Sequence, residues 1–314
     1  MNFLFNAGLL ILGFILLIKG ADFFVDGASR IADKFGIPQI VIGLTIVAFG
    51  TSAPEAAISI NSGIKGSTGI AIGNVVGSNI MNILLILGIT SCITVLHVKK
   101  STVNIEIPFV ILVTAVMVVI GGVKGELDFM SGLILWTFFI IFLVYLVIVA
   151  KKGESSEEEK KIDGKNSSLL KLIIITITGM AGIIIGSNFT VDGATEIARI
   201  FGMEERLIGL TIVAFGTSLP ELITSVTAGL KGNADIAIGN IVGSNIFNIL
   251  FVLGTTCLIK TVPYDSKFII DGIIAICTAA LLFLSIFRKK QLGRGAGITM
   301  LICYAGYFTY LLIS

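Results

Sequence analysis

Glu55 and Glu221 each follow a proline inside a stretch that is otherwise apolar, AFGTSAPEAAISI and AFGTSLPELITSV. A charged side chain at membrane depth costs at least a few kcal/mol, so two such carboxylates imply a function. Proline inside a helix removes a backbone donor and clashes with the carbonyl four residues back. Pro54 and Pro220 therefore predict helices kinked or broken at the GTS triplets. The oxygens freed would lie near Gly50 and Gly216, with the carbonyls of Ala48 and Ala214 close behind. Such carbonyls are tolerable at depth only against protein, water or a bound ion. Thr51, Ser52, Thr217 and Ser218 add hydroxyls within a turn of the glutamates. Carboxylate, hydroxyl and carbonyl oxygens, without imidazole or thiolate, suit hard cations such as Na⁺ and Ca²⁺. The bland alternative is a protonated glutamate bridging two helices; duplication beside proline and hydroxyls disfavours it.

A second duplicated stretch follows each glutamate, GNVVGSNIMN from Gly73 and GNIVGSNIFN from Gly239. Asn74, Ser78 and Asn82 recur at i, i+4 and i+8, which makes one polar stripe on a helix; Asn240, Ser244 and Asn248 repeat it. Ser78, Asn82, Ser244 and Asn248 read as further ligands. Asn74 and Asn240 suit ligation and interhelical hydrogen bonding equally, the latter worth about 0.6 kcal/mol each. Gly73 with Gly77, and Gly239 with Gly243, permit close helix approach. Asp26 and Asp192 occupy equivalent VDGA motifs and are expected to cap or line a vestibule. Glu106 and Asp271, near the starts of apolar runs, are expected to cap or snorkel.

These groups need helices at membrane depth to carry them, and the composition supplies such helices. Of 314 residues, 55% are hydrophobic and 13% charged, against roughly 25% charged in soluble domains. The class is an all-α polytopic membrane protein. A run of about 20 apolar residues spans a bilayer. Ten such runs are visible: 3–28, 37–63, 69–92, 104–122, 128–150, 169–193, 203–229, 234–258, 267–287 and 295–313. The start, MNFLFNAGLL, lacks a basic segment and a small-residue cleavage site, so it reads as a span. The charged stretch 151–168, KKGESSEEEKKIDGKNSS, reads as a linker between the halves 1–150 and 169–314. Residues 20–88 match 186–254 at a constant offset of 166, an internal duplication centred on 37–92 and 203–258. Five spans per half is an odd number, so the second half enters from the opposite side, giving two inverted five-helix repeats of the kind transporters use. Counting Lys and Arg on alternate sides gives sixteen against six. That predicts a cell membrane protein with the linker cytoplasmic and both termini outside.

Other classes fall away. His97 is the only histidine, in a loop, and Cys92, Cys257, Cys277 and Cys303 show no CxxC spacing; all four read as small buried hydrophobes. No Ser–His pair, GxGD aspartate pair or HExxH supports an intramembrane protease, so no enzyme is expected. An acidic ring for a passive channel normally draws on several subunits. The net charge of +2 is too small to suggest nucleic acid. Neither a cofactor nor an obligatory protein partner is expected; the partners implied are Na⁺, Ca²⁺ and the lipid bilayer.

GTSAPE and GTSLPE, each followed by GNxVGSNIxNIL, resemble the two alpha-repeats of the cation/Ca²⁺ exchanger superfamily, most closely the prokaryotic Na⁺/Ca²⁺ exchangers. The resemblance covers essentially the whole chain. It implies that Glu55 and Glu221 ligate the ions together. Hydroxyls of Thr51, Ser52, Ser78, Thr217, Ser218 and Ser244 and the carbonyls of Ala48 and Ala214 would assist. The leading spans of each half would slide as a gate against a rigid core. Where some relatives carry Asp, this chain has Asn248, and Asn82 in the other repeat, which leaves two central carboxylates and argues against a need for K⁺. One Ca²⁺ neutralises that pair and three Na⁺ leave one positive charge. The expected activity is therefore electrogenic antiport of about three Na⁺ for one Ca²⁺ by alternating access. H⁺/Ca²⁺ exchange is the alternative.

Overall fold

The computed structural model of the protein describes residues 3–152, 168–202 and 214–313. Most of the linker 151–168, and the leading part of the run 203–229, lie outside the described residues. The elements in chain order are α1 (Phe3–Phe35), α2 (Gln39–Thr51), α3 (Ala53–Ile64), α4 (Thr68–Ile93), α5 (Thr102–Lys124), α6 (Phe129–Lys152), α7 (Leu169–Ile200), α8 (Ala214–Thr217), α9 (Leu219–Leu230), α10 (Ala234–Ile259), α11 (Ser266–Phe287) and α12 (Arg294–Ile313). Two-residue strands β1 (Leu96–His97), β2 (Glu126–Leu127), β3 (Val262–Pro263) and β4 (Gln291–Leu292) sit in the loops. Among the described residues seven helices are long and apolar enough to cross a membrane, and α2 with α3, bent by 53°, makes eight. The helix α12, with 20 residues, is also of spanning length. This is an all-helical polytopic membrane protein.

Burial ranks the helices. The apolar window of α10 is 94% buried and that of α4 is 67% buried, while α6 buries only 22%. The two helices that carry the polar stripes are thus the centre of the molecule. Gly239 and Gly243 let α10 approach α2 closely: a Cβ on Gly239 would lie 3.0 Å from Gly43 Cα, and one on Gly243 2.8 Å from Leu44 Cα.

The long helices α1 and α7 run antiparallel along their whole length. Gly13, Gly20 and Gly27 face the seam from one side and Gly179, Gly186 and Gly193 from the other, at seven-residue spacing. A Cβ on Gly20 would come within 2.7 Å of the Ile183 nitrogen, and one on Gly186 within 2.7 Å of the Leu17 nitrogen. Without a side chain in the way the backbones touch, which maximises dispersion contact where no hydrophobic effect operates.

The loops sort into two ends. At one, β1 pairs with β4, Lys99 bonds Asp235 at 2.9 Å and Lys231 bonds Asp22 at 2.7 Å. This end also holds the close of α6, where the linker begins, and is called here the linker face. At the other, β2 pairs with β3 and Phe3 packs edge-on against Phe201. The short α3 and α9 are each followed, two residues on, by Gly66 and Gly232, whose φ of 81° and 78° is a left-handed conformation that glycine adopts without a Cβ penalty.

Candidate ion site

Both prolines act differently from a proline inside a continuous helix. Ser52 leaves the helical conformation (ψ 6°), and Pro54 opens α3 from its first turn. Ser218 (ψ 3°) and Pro220 do the same for α9. In a first turn the missing N–H is one the helix could not have used. Each break therefore costs little, and each glutamate lands in the first turn of a half-helix. The positive end of the helix dipole favours a carboxylate there. The expectation of free carbonyls needs correcting in part. The Ala48 carbonyl accepts from Ser52 N at 3.0 Å. The Gly216 carbonyl, which Pro220 cannot bond, accepts from Ser187 Oγ of α7 at 2.8 Å. The Gly50 carbonyl, opposite Pro54, gets no such donor from α1, because the residue 166 positions before Ser187 is Ala21.

The two breaks meet in the protein interior. Glu55 and Glu221 are 2% and 1% exposed. Ser52 Oγ donates to Glu221 Oε1 at 2.8 Å, and Ser218 Oγ donates to Glu55 Oε1 at 3.3 Å. Each carboxylate is thus held by the hydroxyl of the opposite break. Thr51 Oγ1, also buried, donates to Asn240 Oδ1 at 3.0 Å. Asn240 Nδ2 in turn donates to Ser225 Oγ at 2.9 Å and to the Glu221 carbonyl at 3.4 Å. Asn74 repeats this with Ser59 Oγ at 2.9 Å and the Glu55 carbonyl at 3.3 Å. Both amides brace the half-helix that carries the neighbouring glutamate. Ser244 Oγ lies 3.5 Å from the Ala48 carbonyl, at the limit of a hydrogen bond, and Ser78 is buried. Thr217 closes α8 and is half-buried, and Ala214 is that helix's first described residue.

Asn79 and Asn245 fall outside the polar stripes, yet they tie α4 to α10. Asn79 Nδ2 donates to the Asn245 carbonyl at 3.0 Å and Asn245 Nδ2 to the Asn79 carbonyl at 3.1 Å. Their Oδ1 atoms accept from Asn248 Nδ2 at 3.2 Å and Asn82 Nδ2 at 3.0 Å, respectively. Asn82 and Asn248 each open a π-helical turn, Asn82–Leu87 and Asn248–Leu253, a distortion often found at functional sites. The only signal in the sequence was their own duplication within GSN.

With the nitrogens so engaged, Asn82 Oδ1 and Asn248 Oδ1 are left buried without a hydrogen-bond partner, and so are Glu55 Oε2 and Glu221 Oε2. An acceptor buried without a donor costs about 1–3 kcal/mol, more when charged. A cation satisfies such oxygens where no donor does. Among the described residues no three His, Cys, Asp or Glu side chains group together as a metal cluster, so the donor set is two carboxylates with amide, hydroxyl and carbonyl oxygens. That set suits Na⁺ and Ca²⁺ better than the softer transition metals. One other acidic residue differs from expectation. Glu106 is buried on α5 and accepts from the Tyr145 hydroxyl of α6, so it neither caps nor snorkels. Asp26 pairs with Arg30 one turn on, at 3.1 Å.

The comparisons agree with this chemistry. The family model described as sodium/calcium exchanger protein matches residues 5–148 and 171–313. A putative antiporter, CaxA of Alkalimonas amylolytica, is 38% identical over 97% of both chains. The sodium/calcium exchanger MaX1 of Methanosarcina acetivorans is 31% identical over 98% of both. The solved structure of the sodium-calcium exchanger NCX_Mj, soaked in 10 mM Na⁺ without Ca²⁺, superposes with a TM-score of 0.84 at 34% identity, covering 97% of this chain and 98% of that one. Broken helices, buried glutamates and these matches lead to one conclusion: the chain belongs to the sodium/calcium exchanger family.

Proposed function

We propose that the protein is a secondary antiporter that exchanges Na⁺ for Ca²⁺ at a site formed by Glu55 and Glu221. Thr51, Ser52, Thr217, Ser218, Ser78, Ser244, Asn82, Asn248 and the carbonyls of Ala48 and Ala214 complete the ligand shell. The observation that carries this reading is the set of buried acceptors without donors, Glu55 Oε2, Glu221 Oε2, Asn82 Oδ1 and Asn248 Oδ1. The two glutamates bring a charge of −2, which one Ca²⁺ neutralises and which three Na⁺ convert to +1. An isolated charge is costly in a low dielectric, so the empty −2 site stays put and only loaded states cross. That restriction makes an exchanger of about three Na⁺ for one Ca²⁺, with net charge moving at each cycle. A proton-coupled exchanger would use the same carboxylates without Na⁺.

The architecture proposed is ten spans in two inverted halves, 1–150 and 169–314, joined by a cytoplasmic linker in the cell membrane with both termini outside. Reciprocal bonds support the inversion. Asn79 with Asn245, and Ser52–Glu221 with Ser218–Glu55, are pairs related by the offset of 166, the pattern a two-fold axis produces. Equilibrium binding of radioactive Ca²⁺ to the purified protein tests the site. Na⁺ should displace the Ca²⁺, and Glu55→Gln and Glu221→Gln should each abolish binding. Full binding by either variant would remove that glutamate from the site.

A further inference from the structure

The α1–α7 pair is held unequally at its two ends. At the linker face Lys231 Nζ, in the turn between α9 and α10, bonds Asp22 of α1 twice, at 2.7 Å to the carboxylate and 2.7 Å to the backbone carbonyl. Two residues on, Asn233 Nδ2 donates to Ser29 Oγ of α1 at 2.9 Å. Toward the opposite face a cavity of about 550 Å³ opens instead. Leu10 and Phe14 of α1 with Thr190 and Val191 of α7 form one wall, and Met81 of α4 with Tyr304 of α12 form the other.

The duplication supplies a counterpart for each latch residue. Adding 166 converts Asp22 to Asn188 and Ser29 to Thr195, and subtracting it converts Lys231 to Lys65 and Asn233 to Ser67. At the open end Thr195 Oγ1 is buried without a hydrogen-bond partner, and Lys65 and Ser67 are exposed. These are the groups that would meet if α1 and α7 closed there and parted at the linker face. The counterpart pair is weaker by one charge, because Asn188 stands where Asp22 does in the first half.

We propose that Lys231 and Asn233 are gate-positioning residues: they latch α1 at the linker face, and the missing carboxylate at position 188 biases the gate toward that closed end. The inference rests on the exchange reading, in which the site must open to each face in turn. A partly exposed ion pair shifts a two-state equilibrium only modestly, roughly two- to five-fold. That is the size a bias needs if the latch is to break in every cycle.

Ser29→Cys with Asn233→Cys, in a chain whose four native cysteines are replaced, can be bridged by a short reducible bifunctional thiol reagent. Bridging should stop Na⁺-dependent Ca²⁺ flux in proteoliposomes, and reduction should restore it. Asp22→Lys should shift the ratio of apparent Na⁺ affinities at the two faces roughly two- to five-fold, and adding Lys231→Asp should return it. Asn188→Asp should shift the same ratio in the same direction as Asp22→Lys, because a carboxylate at 188 favours closure at the opposite face. Undiminished flux in the bridged protein, or a ratio indifferent to all three variants, overturns the latch. Absence of Na⁺-dependent flux in the unmodified protein would instead overturn the exchange reading on which it stands.

Discussion

Asn79 and Asn245 exchange hydrogen bonds, each amide nitrogen donating to the other's backbone carbonyl at 3.0 and 3.1 Å. The exchange leaves both Oδ1 atoms free to accept from Asn82 and Asn248, and so turns the oxygens of those two residues away from any donor. A pair remote in sequence thereby fixes which atoms the site offers to an ion.

Removing that support should loosen the site without removing a ligand. Asn245→Leu deletes the acceptor for Asn82, and Asn79→Leu the acceptor for Asn248. Outer-shell partners of this kind are worth about 10- to 100-fold in metal affinity. Either variant should raise the Ca²⁺ concentration for half-maximal exchange by about that factor. Unchanged affinity in a folded variant would mean the amides only pack the two helices together.

The glycine seam predicts a selective effect on stability. Gly186→Ala puts a methyl within 2.7 Å of backbone on α1, and overpacking of this kind costs about 1–3 kcal/mol. Thermal unfolding in detergent should move down by several degrees. Gly306→Ala, on an exposed part of α12 with nothing within 4 Å, should hold the melting temperature or raise it slightly.

Two central carboxylates set the charge, with asparagine at both 82 and 248. Replacing K⁺ with choline on both sides of the vesicle should leave Ca²⁺ flux unchanged. A flux that collapses without K⁺ would call for a further cation in the transported set.

Much of this arrangement was legible in the residues, and the illegible parts have physical reasons. Proline after a hydroxyl-bearing triplet announced the breaks, because proline's missing donor acts locally. The constant offset placed the two breaks in relation to one another. The orientation of the amides was not readable: Asn74 and Asn82 look alike along one stripe, yet one braces the half-helix of Glu55 while the other leaves its oxygen open. That difference is decided by Asn245, 163 residues away. Nor could spacing reveal that Ser187 takes up the Gly216 carbonyl, since that bond has no counterpart at Ala21. Spacing alone does not reveal the place of Glu106, because its partner, Tyr145, lies on the next helix.

The most direct measurement is Ca²⁺ uptake into proteoliposomes loaded with Na⁺, with the membrane potential clamped and pH equal on both sides. Uptake should require internal Na⁺. It should quicken when the interior is made positive, since three Na⁺ leaving for one Ca²⁺ entering exports one charge. Uptake that proceeds without internal Na⁺, or that ignores the potential, would contradict the account.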